Sequence, residues 1–181
     1  GTNAEVACTG DIRTLIDYEN YDKVDTSEAS FESLFQDCKQ LVFPPNLSST
    51  KLAKCCYSSM FKGCTSLISA PKLPAETLSP HCYSSMFEGC TSMKKAPALP
   101  ATTLSPYCYS SLFKGCTSLK EVPYLPADKI DRYCYSSMFK GCTSIENAYE
   151  LPAKELKERC YISMFEGCTS LILEPNLPAI K

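Results

Sequence analysis

Apolar positions along this chain recur in a frame of 26 residues. In one unit the apolar columns are Leu67, Ala70, Leu73, Leu78, Cys82, Met86, Phe87 and Cys90. Later copies keep volume while changing identity: Leu112 stands for Met, Ile130 for Leu, and Met93 or Ile145 for Leu. Packed cores tolerate such swaps at a cost under about 1.5 kcal/mol. The segment Cys56-Tyr-Ser-Ser-Met-Phe-Lys-Gly-Cys-Thr-Ser-Leu67 returns at Cys82, Cys108, Cys134 and Cys160, and the copies starting at Cys82 and Cys108 share 15 of 26 positions. A worn copy, Leu34 to Cys38, precedes them with Ser30 in the first cysteine column. About six units therefore fill residues 30–181 as one array, and residues 1–29 form a lead-in or cap outside the period. One unit of this size cannot bury its own apolar face, whereas a stack can.

Punctuation within the unit predicts its elements. Pro80 or Pro106 suits a first helical position, and Gly89 or Gly115 suits a left-handed cap, which frames a helix of about two turns. The extended stretch that follows, such as Leu67 to Lys72, contains Pro71, Pro97, Pro123 or Pro175, which cannot donate to a ladder. Strands must therefore be very short, stacked in parallel at about 4.8 Å. The expectation is an α/β solenoid of six 26-residue units, with short parallel strands on one face and short helices on the other.

Composition narrows function more than fold. The chain has 181 residues, 44% of them hydrophobic, with a net charge of -2, which suits a globular protein and gives no electrostatic reason to expect nucleic acid. No window reaches the roughly 18 apolar residues of a membrane span. His81 is the single imidazole, and no phosphate loop or nucleophile–base pair is present. The chain reads as a non-enzyme with no catalytic residue, metal or cofactor.

Phe61 to Leu67 (Phe-x-Gly-Cys-Thr-Ser-Leu), followed by Ala-Pro-x-Leu-Pro at Ala70 to Pro74, resembles the BspA-like leucine-rich repeat of bacterial cell-surface proteins. Met-Phe here replaces that family's Ala-Phe, and the unit is longer. Cys8 to Glu19 resembles the segment that leads into such arrays. The resemblance covers about residues 30–181 and implies a right-handed leucine-rich-repeat superhelix. It also implies a secreted or cell-surface location and adhesion to an unknown protein or glycan, host-derived ligands included. A passive spacer within a longer surface protein is the competing reading.

Several features invite sharper readings. The 13 cysteines alternate at spacings of 8 and 18 in the repeats, without any C-x-x-C, which disfavours zinc. Bridging the ends of a two-turn helix would span about 12 Å, past the roughly 7 Å Cα limit. That leaves a ladder of reduced core thiols or inter-unit bridges such as Cys82 to Cys108. The tyrosine column Tyr57, Tyr83, Tyr109, Tyr135, Tyr161 reads as inter-unit packing or as a sugar platform. Leu73 to Thr77 only superficially matches a sortase signal, Asn46-Leu47-Ser48 is a weak glycosylation acceptor, and His81 reads as a surface residue. The columns that vary between copies carry the candidate binding face: Lys72, Lys94, Lys95, Lys120, Glu121, Tyr124, Glu146, Tyr149 and Glu150, with Glu174 and Asn176 continuing it. Bland surface pairs such as Lys120 with Glu146 would occupy the same columns.

Overall fold

A computed structural model of the chain describes residues 4–173 and 175. Phenylalanines 26 residues apart lie ring over ring, with centroids 5.7 Å apart for Phe61–Phe87, 5.8 Å for Phe87–Phe113 and 5.7 Å for Phe113–Phe139. Tyr57, Tyr83, Tyr109 and Tyr135 form a second row at 5.9 to 6.1 Å. The sequence frame is thus the physical period of a stack. Its interior is closed by Met60, Cys64, Leu67 and their counterparts as far as Met138, Cys142 and Ile145, all fully buried.

The α/β leucine-rich-repeat superhelix expected above is not what forms. No α-helix occurs among the described residues, and helical residues are confined to two 3-10 turns, Ile12–Leu15 and Tyr21–Lys23. Regular strand is confined to β1 (Val6–Ala7) and β2 (Leu41–Phe43), a parallel pair. Where a two-turn helix was expected, each unit builds a ribbon of overlapping turns. Alternate amides close i to i−3 turns, as in Ser58 to Cys55 (3.0 Å), Met60 to Tyr57 (3.2 Å) and Lys62 to Ser59 (3.1 Å). The amides between them leave the unit and donate to the next one: Tyr57 to Cys82 (2.9 Å), Ser59 to Ser84 (2.8 Å), Phe61 to Met86 (2.9 Å) and Gly63 to Glu88 (2.8 Å). Backbone polar groups are thereby satisfied without helix or sheet, which meets the same accounting that both normally solve.

Left-handed residues at every fourth position make this possible. In the third unit they are His81 (φ 60°), Ser85 (φ 53°) and Gly89 (φ 76°), and the pattern repeats in each copy. A Cβ added to Gly89 would meet nothing closer than 3.8 Å, so conformation rather than space selects glycine there. Each non-glycine left-handed residue costs about 1–2 kcal/mol. Against two of these per unit stand four or five inter-unit hydrogen bonds, each worth about 0.5–1.5 kcal/mol net. The backbone terms nearly cancel, and burial of Tyr, Met and Phe decides for the stack.

Prolines explain the missing strands. Ala70–Ala75, Ala96–Ala101 and Val122–Ala127 make no backbone–backbone hydrogen bond, because each contains two prolines that lack a donor. Isolated parallel bridges close the ladder on either side, at Thr77–Thr103–Lys129 and at Glu121–Asn147–Leu173. Residues 6–26 lie along the extended half of the first unit. Val6 donates to Gln40 (2.8 Å), Cys8 to Phe43 (2.9 Å) and Ile12 to Asn46 (3.0 Å), while Thr26 is fully buried with its amide on the Ser49 hydroxyl.

Candidate recognition surface

All nine residues of the candidate face are solvent-exposed, Tyr124 most of the aromatics there at 76% and Tyr149 at 56%. Their columns are brought together by the bridges at Glu121, Asn147 and Leu173. Glu174 and Asn176 lie outside the described residues. The expected pairing of Lys120 with Glu146 is reduced to a long backbone contact, Glu146 amide to Lys120 carbonyl at 3.5 Å. Ion pairs form in a different column, the residue before each glycine. Glu88 takes Lys62 at 3.0 Å and Lys114 at 3.1 Å, and Lys140 meets Glu166 at 2.8 Å. Partial burial pushes the Glu88 carboxyl up, but hydrogen bonds from Lys62, Lys114 and Ser85 outweigh it and hold the group below its ordinary value. Lys72, Lys94, Lys95 and Lys120 enter no ion pair among the described residues.

Beside these lysines the proline segments stand apart and leave three windows, one in each successive gap between units. The first, about 610 Å³, lies between residues 43–48 and 69–74. The second, about 410 Å³, is walled by Pro71, Pro74, Pro97 and Pro100, and the third, about 440 Å³, by Pro97, Pro100, Pro123 and Pro126. Lys72 lines the first two, Ala98 the last two, and Lys95 and Tyr124 the third. No acidic residue lines any of them. The signal for the windows lies in the sequence as paired prolines 26 residues apart, which limit strand length and hold the segments apart as well.

The aromatic columns resolve differently. Tyr57, Tyr83, Tyr109 and Tyr135 are core, at most 1% exposed. Their hydroxyls, and that of Tyr161, are buried without a hydrogen-bond partner. The Ala153 amide approaches the Tyr161 hydroxyl without closing a well-formed bond. Burial drives the Tyr83 and Tyr109 phenols well above their usual range. His81 is half-buried rather than a free surface residue: it stacks on Tyr107 at 4.5 Å, Tyr107 stacks on Tyr133 at 4.6 Å, and the Arg159 guanidinium covers Tyr133. Burial, then the nearby Lys54 charge, lowers its basicity.

All 13 cysteines are free thiols. All five of the second column donate to the phenylalanine carbonyl 29 residues earlier at 3.0 to 3.2 Å, the first being Cys64 to Phe35 and the last Cys168 to Phe139. Burial pushes the Cys64, Cys134 and Cys142 thiols up to about 12. Thiols held protonated in this way are poor nucleophiles. Among the described residues no three His, Cys, Asp or Glu side chains converge as a metal site would require. No family model, curated protein or solved structure matches this chain.

Proposed function

We propose that this chain is a non-enzymatic recognition module that holds a protein or glycan ligand on the variable face centred on Tyr124. The observation that carries this reading is the division of each unit. The apolar columns that stay constant are buried, whereas the nine candidate residues, which fall in four columns, are exposed together along one side. Stacked-repeat proteins characteristically bind through such surfaces, each unit donating a few side chains. Aromatic residues and charges depleted of internal partners are the usual interface anchors. The resemblance of Phe61 to Pro74 to BspA-like surface repeats supports an extracellular or cell-surface setting. Free thiols are compatible with that setting because nine of the 13 are buried and shielded.

The test is a screen of immobilised glycans and extracellular proteins, followed by affinity measurements on Tyr124→Ala. Loss of an anchor costs about 2 kcal/mol or more, roughly thirtyfold in Kd. An unchanged melting temperature would show that the array is intact. Unchanged affinity would move the site off this face, and no ligand from a broad screen would favour the spacer reading.

A further inference from the structure

Three windows in adjacent gaps, the second and third apolar in their walls and none lined by an acidic residue, restrict what this face can hold. We propose that they take an extended acidic polypeptide segment from another protein, laid across the gaps with its carboxylates on Lys72 and Lys95. This inference rests on the recognition reading above and names its ligand class.

Charge comes first. Lys72 and Lys95 are the charged residues that line the windows, both are exposed, and neither is neutralised by an ion pair. Lys94 adds exposed positive charge beside Lys95, Lys120 in the next unit is followed directly by Glu121, and Glu146 and Glu150 turn the face negative beyond it. An anion is thus favoured at the early units and opposed at the late ones. The backbone supplies the second argument. Ala70–Ala75, Ala96–Ala101 and Val122–Ala127 are extended segments without backbone hydrogen bonds of their own. A polypeptide crossing these segments can meet their free carbonyls and remaining amides with its own main chain, a source of affinity common to peptide complexes. The third argument disfavours a glycan. Sugar rings seat on open aromatic faces, which the second window lacks altogether, while Phe43 and Tyr124 line only the first and the third. Pairs of proline rings with Ala98 between them instead make shallow apolar notches suited to alternate aliphatic side chains.

The probe is a labelled peptide of Glu-Val-Glu-Thr repeated four times, titrated against the full chain by fluorescence anisotropy. Ala98→Trp fills the second and third windows at an exposed position and leaves every lysine in place. It should weaken the peptide at least tenfold without lowering the melting temperature. Lys72→Glu with Lys95→Glu should do the same, and Glu28→Lys, a charge reversal at an exposed residue outside the face, should change affinity less than twofold. Equal binding of the glutamine version of the peptide, or indifference to Ala98→Trp, would overturn the proposal. So would tighter binding of heparin or hyaluronate that competes at the same residues. If the peptide fails while a screened ligand is lost on Tyr124→Ala, the acidic-peptide assignment falls and the recognition face stands. If neither binds, both fall.

Discussion

Replacing Phe113 with alanine probes the stack where it is most enclosed. Its ring has no solvent exposure and lies between Phe87 and Phe139, at 5.8 Å and 3° on one side and 5.7 Å and 11° on the other. Truncating a buried phenylalanine removes its transfer free energy and leaves a cavity, about 3–5 kcal/mol together. Each stacked neighbour adds about 0.5–1.5 kcal/mol, and the backbone here cannot collapse inward, because Phe113 donates to Met138 and its carbonyl accepts from Cys116. The loss should therefore fall near the top of the range, about 5 kcal/mol. Phe165, half-buried with one ring neighbour, Phe139 at 5.5 Å, should lose only about half as much. Urea denaturation followed by far-UV dichroism and tyrosine fluorescence would measure both. Because each unit touches only its neighbours, Phe113→Ala should also split the transition into two steps by weakening the middle of the array. A loss below about 1.5 kcal/mol, or equal losses at Phe113 and Phe165, would refute the claim that this row is the continuous core.

The orphan hydroxyl of Tyr109 makes Tyr109→Phe neutral or stabilising by up to about 1 kcal/mol in thermal melts, whereas a loss above that would reveal a partner for it. At the left-handed positions, Ser111→Gly (φ 54°) should stabilise and Gly115→Ala (φ 72°) should destabilise, each by about 1 kcal/mol in chemical denaturation. Effects of the same sign at both would contradict the turn-ribbon geometry. Cys64, Cys134 and Cys142 have folded-state values raised from 9.0 to about 12, so the native state retains protons that the unfolded chain gives up. Stability should be fully present below pH 9 and fall as pH rises from about 9 to 12. A pH titration of the urea midpoint that stays flat to pH 11 would contradict this.

Much of the stack was legible because a fixed frame leaves few alternatives: Phe61, Phe87, Phe113 and Phe139 had to face one another once the units lay parallel. The ribbon was not legible for a specific reason. Proline before and glycine after Cys82 to Glu88 mark a short helix and a run of turns equally well, and the choice depends on where alternate amides go. That choice is made by the neighbouring unit, through bonds such as Ser85 to Ser110, and no local propensity encodes it. A weak local hint existed, since Cys, Tyr and Ser are indifferent helix formers. At the face, variability located the exposed columns, but pairing depended on geometry: Lys120 misses Glu146 while Glu88 gathers two lysines. The role of Ala98 was invisible for a related reason. A small side chain matters there through the gap that Pro97 and Pro100 hold open.

The two-direction hydrogen bonding of the ribbon gives the array an electrical polarity. Within one peptide group, the carbonyl of Cys56 accepts from Phe31 behind it and the amide of Tyr57 donates to Cys82 ahead. The peptide groups ending in Ser59, Phe61 and Gly63 point the same way, and those ending in the matching Ser, Phe and Gly repeat the arrangement as far as Gly141. Each aligned peptide carries about 3.5 D, and such dipoles add head to tail. An α-helix is positive at its N-terminal end. Here the positive pole faces the later units, so their Glu146, Glu150 and Glu166 sit toward the end where the backbone itself attracts negative charge, and the unpaired lysines of the early units sit toward the other.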